Sequence, residues 1–278
     1  MKLTAYGSRA SMPFFSKGAL KGGGNTSCYR VDMNGRTIIL DCGTGIMQFH
    51  SDMLKERAAS GKSGLTFDIL ISHLHLDHII GLSMFDFLFD KANNIRIFTR
   101  SRSGLPLESQ IFGIFKPPYW PIDIAKMNNA GIFEIKGGDN IDLGDGIDVK
   151  VFDSMHDNDT SGFRLEGEKT LVYLLDYEID KNSDDLPDLV EFCKNADAVV
   201  FDATYLPEDY PKRRGWGHST FEAGMMLAEM ARCKRMIFSH FFHIYDDDTL
   251  DSIMRRVKSQ NSTDIEYFAA TDGLELNI

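Results

Sequence analysis

Short blocks of apolar residues recur along the whole chain and predict strands that alternate with helices. Tyr29–Met33 and Arg36–Leu40 flank the dipeptide Asn34-Gly35, a turn sequence typical of β-hairpins. Further apolar runs predict strands at Ile69–Ser72, Ile95–Thr99, Gly131–Lys136, Ile147–Phe152, Phe163–Leu165, Thr170–Leu175, Ala198–Phe201 and Met236–Ser239. Helices are predicted at Gly45–Ser60, Ile79–Asp90, Leu186–Asn195, Thr220–Ala231 and Thr249–Lys258. Strands with interspersed helices in each half of the chain indicate an α/β fold.

The run His73-Leu74-His75-Leu76-Asp77-His78 holds four potential metal ligands within six residues. It directly follows the predicted strand Ile69–Ser72, and a strand end holds ligands in fixed geometry. The order suits two metals, with two imidazoles for one and a carboxylate plus an imidazole for the other. The alternative is a histidine-rich surface loop, but such a pattern would arise by chance in roughly one such chain in a thousand. The pattern therefore favours a metal site.

Three more potential ligands lie at the carboxyl ends of predicted strands. His156 follows an apolar and polar alternation from Val149 to Met155, Asp176 ends the run that begins at Leu171, and His240 follows Ser239. Any one of them alone would more often be a core or surface residue. Together with the six-residue cluster, they favour a shared metal centre.

These motifs resemble those of the metallo-β-lactamase superfamily of binuclear hydrolases, over nearly the whole length of the chain. The matching residues are Asp41-Cys42-Gly43-Thr44-Gly45, the cluster from His73 to His78, His156, Asp176, Gly217-His218-Ser219-Thr220 and His240. Three further segments are similar to the phosphodiesterase-like branch, which includes ribonuclease Z and the cyclic phosphodiesterase of phosphonate breakdown. They are the stretches from Gly7 to Pro13, from Gly22 to Cys28 and from Trp216 to Thr220.

The resemblance implies an αββα sandwich of two mixed β-sheets flanked by helices, as one domain covering residues 1–278. It implies two divalent metal ions, zinc or manganese with iron also suited, that share a bridging hydroxide generated near neutral pH. The implied ligands are His73, His75 and His156 for the first metal, Asp77, His78 and His240 for the second, and Asp176 for both. Asp77 also counts among the catalytic residues. Asp41 is similar to an aspartate that supports the ligand loop rather than binding metal.

Two further residues are candidates for proton transfer. Asp202, in Phe201-Asp202-Ala203-Thr204-Tyr205, stands where the similar segment of ribonuclease Z has a glutamate, and His218 lies in the motif that partners it there. A carboxylate beside an imidazole keeps it protonated longer, which suits a general acid for a leaving alkoxide. The alternative for His218 is a residue near the start of a helix that Ser219-Thr220 introduces.

Charge and composition narrow the class of protein. The net charge is −11, whereas long polyanions such as tRNA need clusters of Lys and Arg, so a long nucleic acid is not expected as the main partner. The short basic run Lys212-Arg213-Arg214 suits either a single phosphate or a solvated loop. No apolar run is long enough for a bilayer, the N-terminus lacks a secretory signal, and the four cysteines form no Cys-x-x-Cys pair. We therefore expect a reduced cytoplasmic protein with no membrane segment, for which a homo-oligomer is also compatible.

The leading hypothesis is a metal-dependent phosphodiesterase for a small diester, cyclic or nucleotide-like. The first alternative is RNA processing as in ribonuclease Z, but His156 and Asp176 are only 20 positions apart, and that enzyme usually carries its long RNA-holding arm between these ligands. The second is a lactonase, β-lactamase or thioesterase, and the third is a noncatalytic sensor. The aromatic and proline-rich segment Ile111–Ile122 is either a wall of the site that stacks a ring or a buried structural loop.

Overall fold

The apolar blocks of the sequence form two stacked β-sheets. The computed structural model describes residues 1–15, 21–102, 104–126, 129–154, 160–179 and 184–278. The strands within these ranges are β1 (Lys2–Gly7), β2 (Cys28–Met33), β3 (Arg36–Leu40), β4 (Thr66–Leu70), β5 (Asn94–Thr99), β6 (Gly131–Glu134), β7 (Asn140–Gly144), β8 (Ile147–Ser154), β9 (Thr160–Glu166), β10 (Thr170–Leu174), β11 (Ala198–Asp202), β12 (Arg235–Ser239), β13 (Glu266–Ala269) and β14 (Glu275–Asn277). The helices are α1 (Ile46–Ser60), α2 (Leu76–Ile79), α3 (Leu107–Phe112), α4 (Leu186–Cys193), α5 (Phe221–Ala231) and α6 (Asp247–Gln260). In the described part of the chain, every helix is too short or too polar to cross a membrane.

Both sheets are mixed. In the first, the order is β14-β1-β2-β3-β4-β5-β6, antiparallel from β14 to β3 and parallel from β3 to β6. In the second, the order is β13-β12-β11-β10-β9-β8-β7, parallel from β13 to β10 and antiparallel from β10 to β7. The predicted turn Asn34-Gly35 joins β2 to β3, with φ of 48° and 82°, because the tight turns that suit a twisted hairpin need positive φ at both positions.

The two sheets face each other across one apolar core. Buried residues of both sheets meet there, and the rings of Tyr29 and Tyr173 pack edge to face at 5.6 Å. Helix α1 covers the outer face of the first sheet through Phe49, and α5 covers the second through Phe221. The predicted αββα sandwich is therefore confirmed, while the interpretation of residues 1–278 as a single domain stays a prediction.

The predicted helix Ile79–Asp90 is wrong. The chain instead forms the short α2 followed by 3-10 turns at Ile80–Met84 and Asp86–Phe89. Phe85 and Phe87 both pack on Phe67, with ring centroids 5.9 and 5.6 Å away. Residues two positions apart do not share a face of an α-helix, so burying both rings requires the tighter, interrupted turns.

The segment Ile111–Ile122 has a buried first half and a more exposed second half. Ile111, Phe112 and Phe115 are buried in the core under the first sheet, whereas Tyr119 is 80% exposed. Burial of Ile111, Phe112 and Phe115 agrees with the buried-loop interpretation, but Ile111 and Phe112 belong to α3 and not to a loop. Ring binding by the segment stays a prediction.

Candidate metal centre

The sequence-predicted site residues of the described chain meet where parallel strands of both sheets end. Asp41 follows β3 and His73 lies three residues beyond β4. In the second sheet, Asp176 lies two residues beyond β10, Asp202 ends β11, and His240 follows β12. Carboxyl ends of parallel strands share one edge of a sheet, so the strand order brings the side chains of each sheet towards one another.

Three of these residues adopt a backbone conformation that L-residues rarely use. Asp41, Asp176 and His240 have φ of 57°, 52° and 56°. Left-handed backbone at a non-glycine residue costs free energy and persists where the surroundings enforce it, which is typical of functional sites. Here each of the three residues lies one or two positions after the end of a strand, where the ligand side chains meet.

The side chains form two groups of potential ligands joined by Asp176, and a third group overlaps both. His73, His75 and Asp176 form one group and Asp77, His78 and His240 another, with the ligand atoms of each group within 4.8 Å of one another. Asp176, His218 and His240 form the third group at the same spacing, so His218 also lies within ligand distance of this centre. The Oδ1 atom of Asp176 is 3.7 Å from His73 Nε2. Its Oδ2 atom is 3.1 Å from His78 Nε2 and 3.4 Å from His240 Nε2. The two carboxylate oxygens therefore face different groups, the arrangement expected of a bridging ligand. His156 lies outside the described residues.

Asp41 supports the imidazoles from behind. Its Oδ2 accepts hydrogen bonds from His78 Nδ1 at 2.7 Å, Ser72 Oγ at 2.9 Å and Tyr173 Oη at 2.7 Å, and its Oδ1 accepts from Ser72 N at 2.7 Å. Ser72 Oγ is also 3.1 Å from His73 Nδ1. Because the serine proton goes to Asp41, the hydroxyl accepts from His73, and both imidazoles then carry their proton on Nδ1. In each ring, Nε2 is then the atom whose lone pair would bind a metal.

Asp202 joins the metal-facing residues to His218. Its Oδ2 accepts from His218 Nδ1 at 2.8 Å and from Asp176 N at 3.0 Å, and its Oδ1 accepts from Thr204 N at 2.9 Å. His218 is nearly buried, and its ring centroid is 5.2 Å from that of His240. The capping residue of α5 is Thr220, whose hydroxyl accepts from Ala223 N, so His218 does lie two positions before the cap of a helix, as the alternative had it. The catalytic role of His218 stays a prediction.

The sequence did not identify several residues that hold the site together. Ser11 N donates to Asp77 Oδ2 at 2.7 Å, which fixes a carboxylate of the second group through the N-terminal loop. Thr204 Oγ1 is 3.1 Å from His240 Nδ1. The predicted motifs from Gly7 to Pro13 and from Phe201 to Tyr205 contain both residues, but the sequence gave no reason to single them out.

The site strongly favours positive charge. Burial lowers the pKa of His78, but the carboxylates of Asp176, Asp41 and Asp77 outweigh it, and the pKa lies well above its ordinary value. For His240, burial is likewise outweighed by Asp176 and other carboxylates, which raise the pKa to about 10. Burial raises the pKa of Asp176, yet His240, His78 and His73 hold it well below its usual range.

The residues present fit divalent cations. Buried carboxylates are costly unless cations accompany them, and the carboxylates of this cluster raise the pKa of the His78 and His240 imidazoles. Imidazole nitrogens with carboxylate oxygens form a donor set that zinc, manganese and iron accept. A divalent metal at each group would supply positive charge beside these carboxylates.

One basic residue near His218 is packed on aromatic rings. The guanidinium carbon of Arg213 lies 5.0 Å from the ring centroid of Tyr205 and 4.8 Å from that of Phe242. The Tyr205 ring packs edge-on against His218 at 5.7 Å. Lys212 and Arg214 are exposed, which agrees with the solvated-loop interpretation of the basic run, whereas Arg213 is only partly exposed and is packed on two rings.

Comparison with known proteins places the chain among related sequences and folds. The model of the beta-lactamase superfamily domain matches residues 36–241. A ribonuclease Z of Nitrosopumilus maritimus is 24% identical over the full length of both chains. The short form of human tRNase Z has the same fold, with a TM-score of 0.67 and 19% identity over 100% of this chain and 99% of that one. A diphosphatase from the PhnP family has a TM-score of 0.66 and 19% identity over 100% of this chain and 97% of that one.

Proposed function

The chain belongs to the beta-lactamase superfamily, and on that premise we propose that it is a binuclear metal-dependent phosphodiesterase acting on a small diester, cyclic or nucleotide-like. The observation that carries the proposal is the hydrogen-bonded pair of Asp202 and His218 directly beside two groups of metal-ligand side chains. Activated water and a proton donor together are what cleavage of a diester with a poor leaving group requires.

The first metal would be held by His73, His75 and His156, the second by Asp77, His78 and His240, and both by Asp176. Two divalent cations there would supply a water activated near neutral pH and would offset charge on the phosphate oxygens. Zinc and manganese are the leading candidates, and iron also suits the donor set.

His218 is the proposed general acid. Its Nδ1 is bound to Asp202, so Nε2 is the atom that can deliver a proton to the leaving oxygen. Burial lowers the pKa of His218, but the Asp202 carboxylate outweighs this effect and the pKa is raised, which keeps the imidazole protonated longer. Asp202 positions the ring and stabilises its charged form.

A small substrate is favoured over RNA by charge and by spacing. The net charge is −11, and His156 and Asp176 are only 20 positions apart, which leaves no room there for an RNA-holding arm. RNA processing remains the second candidate, because the relatives found across most of the chain are named ribonuclease Z.

A substrate panel tests the proposal. Metal-loaded protein is assayed on small phosphodiesters, phosphomonoesters, a precursor tRNA, a lactone, a β-lactam and a glutathione thioester. We expect the small diesters to have the highest kcat/KM and the precursor tRNA to be a poor substrate. Efficient turnover of the precursor would favour the second candidate. Thioester, lactone or β-lactam hydrolysis without diesterase activity would overturn the proposal.

A further inference from the structure

A carboxylate that the proposed mechanism does not use fixes the loop leading into His218. Glu178 lies two residues beyond Asp176, and its Oε1 accepts from Tyr210 Oη at 2.7 Å and from Gly215 N at 2.8 Å. Its Oε2 accepts from Gly215 N at 2.9 Å and from Gly217 N at 2.8 Å. The loop 210–217 is therefore tied at three positions to one side chain.

The glycines are needed for this arrangement. Gly215 and Gly217 have φ of 85° and 80°, a conformation that glycine adopts without the steric cost of a side chain. Their N–H groups can then converge on one anion, as backbone N–H groups do in anion-binding turns. The aromatic packing of Arg213 on Tyr205 and Phe242 is a second anchor of the same loop.

Trp216 lies between the two anchored glycines and is 64% exposed. Its N–H donates to the carbonyl of Arg213 at 3.1 Å, so its backbone is fixed as well. Two residues span at most about 7 Å, so its Cα lies within that distance of the Cα of His218. Met12 and Leu76, the chain neighbours of Ser11 and Asp77, are also 61% and 52% exposed. Residues next to the site in sequence therefore carry large apolar side chains that are exposed to solvent.

We infer that Trp216 is a substrate-binding residue that stacks on a flat ring attached to the phosphate, and that Glu178 is the positioning residue that holds it there. Ordering a loop to expose a tryptophan costs conformational entropy and leaves apolar area in water, and a ring laid on the indole would offset both. A nucleobase is a ring of this class, and stacking on an aromatic side chain strengthens binding on the order of 10-fold or more per base. The inference deepens the proposed function and rests on it for the presence of a phosphate.

The test compares two ligands that share a sugar phosphate and differ only in the base. The Kd values of adenosine 5′-monophosphate and ribose 5-phosphate are measured with metal-loaded protein carrying Trp120→Phe. The chain has two tryptophans, so Trp216 is then the one that fluoresces. We expect the nucleotide to bind about 10-fold more tightly and to quench the indole fluorescence. Trp216→Ala should bring the ratio of the two Kd values close to one, and Trp216→Phe should retain part of it. Tyr119→Ala removes the 80% exposed ring of the segment Ile111–Ile122 and tests that segment against Trp216; we expect an unchanged ratio. Phe133→Ala, at a 45% exposed ring of the edge strand β6, is the matched control and should also leave the ratio unchanged.

Glu178→Gln tests the positioning role. Glutamine keeps one acceptor oxygen but turns an NH2 group towards N–H donors, so the loop loses part of its anchor. We expect the Kd ratio to fall towards that of Trp216→Ala, with metal content and ribose 5-phosphate affinity unchanged. In the Trp216→Ala background the same substitution should have no further effect on the ratio, which a general loss of folding would not produce. Glu191→Gln, at an exposed glutamate of α4 paired with Lys194, is the control.

Several outcomes would overturn the inference. The first is a Kd ratio that survives Trp216→Ala, and the second is a ratio that falls with Tyr119→Ala instead. The third is that neither ligand binds. The fourth is that Trp216→Ala only dissociates an oligomer into a species of lower mass and leaves the ratio unchanged. Because the ratio is measured without turnover, it can hold in a protein that hydrolyses no diester, in which case the proposed activity fails alone. Diester hydrolysis with no preference for the base would remove the inference and leave the activity in place.

Discussion

Asp41→Asn should weaken metal binding without removing any ligand. Asparagine has two orientations at this position. If its amide nitrogen replaces Oδ2, this NH2 group faces His78 Nδ1 at 2.7 Å. His78 Nδ1 can accept from it only when the histidine proton moves to Nε2, the atom required for the metal. If its oxygen replaces Oδ2, the amide nitrogen faces Ser72 N, a donor, at 2.7 Å. A buried donor left unsatisfied costs about 1–3 kcal/mol.

Either orientation of the asparagine weakens the support of His78, which sets the expected loss of metal affinity. Loss of a supporting partner behind a ligating histidine typically lowers metal affinity 10–100-fold, or about 1.4–2.7 kcal/mol. We expect a loss in that range for the metal held through His78, measured by competition with a chromophoric chelator. Ser72→Ala is the matched comparison, because it removes the partner of His73 and leaves the contact of Asp41 with His78. Its larger loss should fall on the metal held through His73.

The control is Asp264→Asn, the same chemical change at an exposed residue, and it should bind both metals as the wild type does. An Asp41→Asn variant that binds both metals with wild-type affinity would refute the supporting role of Asp41. So would a Ser72→Ala variant whose loss falls on the same metal as that of Asp41→Asn.

Two other predictions follow from the site. His218→Ala should lower kcat by about 10²–10⁴-fold on a diester with a sugar alkoxide leaving group and much less on a p-nitrophenyl diester, whose leaving group departs without a proton. Asp202→Asn should show the same selectivity more weakly, and equal losses on both substrates at unchanged metal content would rule out the general acid. Asp176→Ala should lower the occupancy of both metals in elemental analysis, because its two oxygens face different groups; loss of one metal only would exclude the bridging role.

Local pattern predicted much of the fold because the strands that position the site are buried and apolar. The apolar runs predicted β4, β10 and β12 directly, and the polar residue after each run indicated the site. The edge strands β7, β13 and β14 were missed, since they are short and partly exposed and take their shape from a neighbouring strand. The helix expected at Ile79–Asp90 failed because the packing of Phe85 and Phe87 outweighed helix propensity.

The supporting residues of the site were harder to predict than its ligands. Tyr173 donates to Asp41 across 132 positions of sequence, and Ser11 contacts Asp77 across 66. Neither contact has a local signature, because the first joins the two sheets and the second joins the loop after β1 to α2. Glu178 is similar, since nothing in its neighbourhood of the sequence indicates the glycine N–H groups 37 and 39 positions away.

The most direct test of the central claim is to titrate metal and rate together. Protein stripped with a chelator is reloaded stepwise with zinc or manganese, and metal content and hydrolysis of a p-nitrophenyl diester are measured in the same samples. We expect almost no activity in the stripped protein, and activity that rises as the content approaches two metals per chain. Undiminished hydrolysis by fully stripped protein, or no hydrolysis of any diester at two metals per chain, would contradict the account.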